Sequence, residues 1–279
     1  MSFLSLITRY LNEPFLEEFV EYYFSEGIDH MFILYDVDST IPIKKSIIDH
    51  KKVTILNSVN FNKRQTMDVN ELYKQIRTQF EWVIFVDCDE FITSTIQSKT
   101  IRDELSIQYK TVDCIKVPWI MMSSGDREDD PPTILQHLTT RWNHDLRHPH
   151  PNNWSKGRCR YKQIEVKMIT KCSKFKNLGL HHPNNPISNN IICIESIHNT
   201  QTEVNPFYNN LRENDIANAS LLCYHYRIFS KESAKRKLLN NKLDGYSNGS
   251  LNNLLLSDYS EKTDEFMKIK SIAKFGHKN

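Results

Sequence analysis

Asp87 and Asp89 stand two residues apart at the end of the apolar run Trp82-Val83-Ile84-Phe85-Val86, with Glu90 and Phe91 directly after them. An unbroken apolar run reads as a strand buried on both faces, and side chains two apart on an extended chain leave from the same side. Two carboxylates so placed are a clamp for a hard divalent cation, Mn2+ or Mg2+. Such a cation takes a few carboxylate oxygens and completes its shell with water and phosphate oxygens, so it can neutralise a diphosphate leaving group. The bland alternative is a solvated turn after a strand. The whole context Val-x-Phe-Val-Asp-x-Asp-Glu-Phe favours the cation site over that alternative.

The elements that must carry these residues follow from hydrophobic spacing. Phe3 to Thr8, Met31 to Tyr35 and Val53 to Leu56 read as short buried strands. Helical spacing runs from Phe15 to Ser25, with Gly27 as a stop, and again from Met67 to Phe80, directly ahead of the Asp87 strand. This rhythm predicts an α/β fold with a mainly parallel sheet covered by helices, in which ligands bind at the carboxyl ends of strands. Asp36, Asp38, Asp87 and Asp89 all fall there. Further on, the pattern predicts a helix near Ile101 to Tyr109, a strand near Asp113 to Met122, a short helix from Pro132 to Leu138, and strands at Ile164 to Ile169 and Ile191 to Ile197. Ser230 is placed to cap a helix, and Phe266 to Ala273 reads as another.

Composition narrows the classes. The 279 residues, 39% hydrophobic and 11% aromatic, suffice for one sizeable core, and the expectation is a single domain over 1–279. With 36 basic and 34 acidic residues the net charge is +2, which offers no global field for nucleic acid or a membrane surface. No window resembles a signal peptide or a membrane span, so the expectation is a soluble, cytoplasmic protein. The six cysteines form no Cys-x-x-Cys pair and read as reduced thiols. His144, His148, His150 and Cys159 match no standard zinc spacing and read as a polar loop.

Taken in order, several motifs resemble a glycosyltransferase of the GT-A fold, of the family 92 type and its relatives within the family 2 superfamily. They are Asn12-Glu13, the Glu17-Glu18-Phe19 helix, Gly27-Ile28-Asp29-His30, Tyr35-Asp36-Val37-Asp38-Ser39-Thr40, Arg64-Gln65, Asn70, Trp82 and Asp87-Cys88-Asp89-Glu90-Phe91. Trp119, Ser123-Ser124-Gly125, Lys167, Leu180-His181 and His225-Tyr226 continue the match more weakly. Two positions depart from the family pattern: Ile41 follows the Ser-Thr pair where an Asp is usual, and Met122-Ser123-Ser124-Gly125 replaces an aromatic-Gly-Ser block.

The resemblance implies a metal-dependent transfer of a hexose from a nucleotide sugar, a UDP-sugar by preference, to a glycan or other hydroxyl acceptor, with inversion. Residues 1–95 would bind the nucleotide, 96–229 the acceptor, and 230–279 would form a helical close. The nucleotide groove would draw on Thr8, Arg9, Asn12, Glu13, Asp36, Arg64 and Asp87, with Asp36 accepting a base N–H. Asp89, Asp87 and His225 would hold Mn2+ or Mg2+, and His181 or His182 would touch the diphosphate or the acceptor. Inversion needs a general base, for which Asp126, Asp129 and Asp130 of the acidic loop are the candidates. The basic run Lys231, Lys235, Arg236, Lys237 and Lys242 reads first as a solvated helix face from which one or two members can reach the diphosphate. A bacterial or large-virus source would suit the Asn-, Ile- and Lys-rich composition.

Two rival readings stand beside this one. Phe32 to Thr40 also fits the Asp-x-Asp-x-Thr nucleophile strand of haloacid-dehalogenase-type phosphatases, with Asp36 as nucleophile and Asp38 as acid/base. That reading leaves the Asp87 block unexplained. A non-catalytic sugar- or nucleotide-binding module on the same scaffold is the other.

Overall fold

The computed structural model describes residues 1–58, 61–146, 163–243 and 251–278, side chains excepted at 61–65, 241–243 and 253. The first part runs β1 (Ser2–Tyr10), α1 (Leu16–Ser25), β2 (His30–Asp36), α2 (Lys45–Ile48), β3 (Val53–Ser58), α3 (Phe61–Ile76) and β4 (Phe80–Phe85). Strands β3, β2, β1 and β4 lie side by side in that order, all parallel. Alternation along each strand divides its side chains between two helical layers. Leu4, Leu6, Ile33, Trp82 and Ile84 pack with Phe19, Tyr22 and Tyr23 of α1 on one face. Ile7, Phe32, Leu34, Val83 and Phe85 pack with Val69, Leu72, Tyr73 and Ile76 of α3 on the other. Asn70 ties α3 down further, since its amide exchanges hydrogen bonds with the backbone of Leu178.

The chain continues through β5 (Glu90–Ser94), α4 (Ile101–Ile107), β6 (Cys114–Ser123), α5 (Ile134–His137), β7 (Thr140–Arg141), β8 (Gln163–Lys171), β9 (Phe175–Leu178) and β10 (Pro183–Pro186). Then follow β11 (Cys193–Glu195), β12 (Phe207–Asn209), α6 (Glu213–Asn218), β13 (Leu221–His225), α7 (Lys231–Leu243), α8 (Leu251–Leu255), β14 (Lys262–Thr263) and α9 (Phe266–Phe275). The sheet extends from β4 through β8 to β6, with β8 antiparallel to both neighbours. Strand β13 then lies parallel to β6 and antiparallel to β5. The expected mixed α/β architecture is therefore present, its first four strands parallel.

Several boundaries differ from the sequence expectation. Helix α3 ends at Ile76, and Phe80, which continues the i, i+4 apolar series, opens β4 instead. The apolar run after Trp82 does not pass through the acidic motif as one strand. It stops at Phe85, and a turn in which Glu90 N donates to Asp87 O (3.1 Å) leads into the separate strand β5. Asp87 and Asp89 therefore lie on a turn, where the same-side rule for an extended chain does not apply.

Helix α9 is stapled to the body by buried charge. Lys270 reaches Glu26 Oε1 at 3.1 Å and also donates to Thr93 Oγ1, Ser94 O and Lys99 O, while Lys274 reaches the same Glu26 oxygen at 2.5 Å. Glu26 Oε2 accepts from Ile101 N, so one carboxylate joins α1, α4 and α9. The described cysteines are free and buried, and His148, His150 and Cys159 lie outside the described residues. Among the described residues no helix is long and apolar enough to cross a membrane.

Candidate active site

Strand pairing brings the acidic motif to the late histidine. His225 at the end of β13 lies in register with Glu90 of β5 and Met121 of β6, and Tyr226 N donates to Asp89 O at 2.8 Å. Two tyrosines of α1 hold β5 in place: Tyr23 OH donates to Glu90 O and Tyr22 OH to Ile92 O. The motif and the histidine are thus fixed by backbone hydrogen bonds across 135 residues of chain.

The carboxylates of the motif meet different cations. Asp87 faces Lys167 of β8 at 3.2 Å, and Lys167 also reaches Glu90 Oε2 at 2.9 Å and donates to Leu180 O. Lys167 is fully enclosed. Burial opposes its charge, but Asp87 and Glu90 outweigh burial and hold the ammonium above its usual range. Burial pushes Asp87 up as well, yet Lys167 wins and keeps it below the ordinary carboxylate range. Glu90 carries the cost of three crowded carboxyls: burial drives it up to about 8, against the pull of Lys167.

Asp89 turns instead toward Lys237 Nζ of α7, 2.6 Å from Oδ2, and His225 Nε2, 3.5 Å from the same oxygen. Burial raises this carboxyl, but Lys237 and then His225 overcome it and hold the group well below the usual range. His225 itself is kept neutral by burial, which exceeds the pull of Asp89, and among the described residues its Nδ1 has no hydrogen-bond partner. A neutral imidazole is the form that binds metals. Asp89 and His225 therefore form a fitting two-donor set for a divalent ion that takes its other ligands from phosphate and water. Among the described residues no group of three or more His, Cys, Asp or Glu side chains is disposed to hold a metal, and Asp87 faces Lys167 rather than His225.

A small open cleft lies beside Asp89. Ser233, Arg236, Lys237 and Asn240 line it from α7, spaced i, i+3, i+4 and i+7, which puts all of them on one helix face. Ser230 caps that helix by accepting from Ser233 N at 2.9 Å, as its position in the sequence suggests. Glu13 and Asn12 line the opposite wall. Burial, reinforced by Asp89, raises the Glu13 carboxyl to about 7. Asn12 holds the scaffold: with φ at 57°, its Oδ1 accepts from Thr40 N, Thr40 Oγ1 and Ile41 N, and its Nδ2 donates to Asn240.

The remaining expected residues scatter around this centre. Asp36 is buried at the end of β2, where its Oδ1 accepts from Asp38 N at 3.0 Å and shapes the following turn. Thr8 is enclosed and contacts Cys88 Sγ, and the charge of Arg9 acts on both Asp87 and Glu13. Arg64 lies in α3, with its side chain outside the described set. His181 packs edge-on against Trp119, which in turn meets His225 in a tilted contact with ring centres 4.2 Å apart. Its Nδ1 meets Val166 O at 3.1 Å, and burial lowers its pKa to about 4. His182 lines a separate small depression with Phe85, Met168 and Leu180.

In the acidic loop Asp130 is bound to Ser230 and Arg236, and Glu128 to Lys231, so the loop is moored to the start of α7. Asp126, with φ at 60°, and Asp129 are exposed. Three contributors go unselected by sequence reasoning. Lys167 matched the family only as a motif residue, Lys237 was one of five equivalent basic residues, and Asp258 carries no motif at all. Asp258 accepts from Ser124 N and Ser124 Oγ and so fixes the end of β6.

Comparison with known proteins adds a family. Residues 9–254 match the model described as Glycosyltransferase family 92. A search of curated proteins gives no match. Among solved structures the chain is similar to S. aureus TarS 1–349, with 16% identity over 62% of this chain and 48% of that one and a TM-score of 0.33. HddC from Yersinia pseudotuberculosis is 10% identical over 79% of this chain and 98% of that one, with a TM-score of 0.35. A glycosyltransferase involved in the glycosylation of the major capsid of PBCV-1 is 12% identical over 42% of this chain and 52% of that one, with a TM-score of 0.23. The chain spans about half the length of the S. aureus TarS 1–349 chain.

Proposed function

Because the chain belongs to glycosyltransferase family 92, we propose that it moves a hexose from a nucleoside diphosphate sugar, a UDP-sugar in this reading, to a hydroxyl acceptor with inversion. The observation that carries the proposal is the cleft at the carboxyl ends of β1 and β4, where Asp89, neutral His225 and Lys237 converge beside Glu13. Ligands of sheets of this kind bind at such strand ends. Asp89 and His225 would hold Mn2+ or Mg2+, which when bound supplies positive charge to the departing diphosphate. Asp87 supports that centre through Lys167, and Asp36 offers a buried acceptor for a base N–H at the end of β2.

The general base belongs to the loop after β6. Asp130 is held by Arg236, so the exposed carboxylates Asp126 and Asp129 are the better candidates for taking the acceptor proton. His181, one ring away from His225 through Trp119, would touch the diphosphate or the acceptor. Family membership leaves the phosphatase reading of Asp36 and Asp38 without support. Incubation with a panel of UDP- and GDP-sugars, with and without Mn2+, tests the proposal by nucleotide release and product analysis. Release of UDP stimulated by a hydroxyl acceptor is expected. Phosphate release from a simple aryl phosphate that Asp36→Asn abolishes and Asp89→Asn spares would overturn it.

A further inference from the structure

Of the two lysines that neutralise the acidic motif, one is fixed and the other is free to leave. Lys167 is fully enclosed, paired with two carboxylates and a carbonyl. Lys237 is a third exposed, stands on the wall of the cleft, and among the described residues hydrogen-bonds to Asp89 Oδ2 and the carbonyl of Arg227. Its neighbours on the same helix face are tied to other elements: Arg236 to Asp130, and Asn240 to both Asn12 and Leu11 O. These ties hold α7 in place, so the Lys237 ammonium can swing on its four-carbon stem without movement of the helix. Asp89, nearly enclosed, needs a cation beside it at all times, since an unpaired buried carboxylate is costly. A divalent ion and an ammonium at one carboxylate oxygen repel each other strongly, so the two cannot share it.

Resting on the transferase reading above, we propose that Lys237 is an exchangeable cation: it occupies the Asp89 carboxylate in the donor-free protein and passes to the donor's diphosphate when a divalent ion takes its place. Lys237 would then have two successive partners, first the carboxylate and afterwards a phosphate oxygen, both within reach from one position on α7. The site would stay electrically balanced in both states. Metal binding without nucleotide would be weak by design, because it must displace an ion pair, and metal and nucleotide would favour each other.

Mn2+ binding read by electron paramagnetic resonance, and UDP binding read by calorimetry, test this on the wild type, Lys237→Met and Lys237→Arg, with melting temperature confirming that each variant folds. Without its competing ammonium, Lys237→Met is expected to bind Mn2+ about tenfold tighter and, at saturating Mn2+, to bind UDP about tenfold more weakly, the scale of one charge-assisted contact. Lys237→Arg keeps the competing charge and is expected to stay close to the wild type in Mn2+ affinity. Equal or weaker Mn2+ binding by folded Lys237→Met would overturn the exchange. UDP binding that needs Lys237 while neither protein binds Mn2+ would also overturn it, making Lys237 a permanent diphosphate cation and leaving the transferase reading intact. If the wild type binds neither Mn2+ nor any nucleoside diphosphate, the transferase reading fails and the exchange fails with it.

Discussion

At Glu26 a buried carboxylate meets Lys270 and Lys274, and the donors of Lys270 end on Thr93, Ser94 and Lys99. At Asp89 the same chemistry is arranged differently: the carboxylate meets Lys237, itself a third exposed, and His225 beside a cleft. The first cluster is closed on itself and joins three helices. The second keeps binding capacity next to open space. A buried ion pair is weak evidence of function by itself; what separates the site from the staple is that Asp89 and Lys237 both line open space.

That contrast can be broken by substitution. The largest effect is expected from Asp89→Asn, which should lower product formation by about a thousandfold, or about 4 kcal/mol of barrier, measured at a temperature where the variant is folded. Glu26→Ala should act on stability instead. It leaves buried Lys270 without its ion-pair partner and should cost about 3 kcal/mol in urea unfolding, the low end of the range because Lys274 can turn to solvent, while nucleotide affinity holds. If Glu26→Ala weakened nucleotide binding at unchanged stability, the distinction between the clusters would collapse.

Acid sharpens the comparison on the site side. The folded-state pKa of His181 is depressed from 6.5 to about 4, so the stability tied to its neutral ring is fully present above pH 6.5 and is lost as pH falls toward 4. Unfolding midpoints at pH 7 and pH 4.5 should show His181→Gln less acid-sensitive than the wild type by about 2 kcal/mol, allowing for partial solvent access. The smallest effect belongs to the exposed pair between Lys44 and Glu17. Lys44→Ala should change stability by less than about 0.5 kcal/mol, which sets the baseline for charge removal outside either cluster.

Much of the scaffold is legible in the sequence because alternation and helical spacing record which faces are buried. The parallel strands, α1 and the cap at Ser230 are of this kind. Periodicity does not report strand direction, so antiparallel β8 between β4 and β6 is not visible in it. Nor does it report a break inside an apolar-to-acidic run: the turn at Asp87 sends the two aspartates to different lysines, where an extended chain would have aligned them. The proximity of His225 to Asp89 depends on β13 pairing with β5, which local spacing cannot encode, and the family resemblance is what singles the histidine out. Lys237 leaves a fainter trace. The polar positions 233, 236, 237 and 240 form one stripe, but a basic stripe reads as solvated until the helix is seen to turn it inward.

The most direct test of the account is calorimetric titration of UDP, in the presence of Mn2+, into the wild type, Asp89→Asn and Glu26→Ala at a temperature where all three are folded. Binding to the wild type and Glu26→Ala, with loss in Asp89→Asn, is the predicted result. Binding that survives in Asp89→Asn, or that disappears equally in both variants, would contradict the assignment of the cleft beside Asp89 as the donor site.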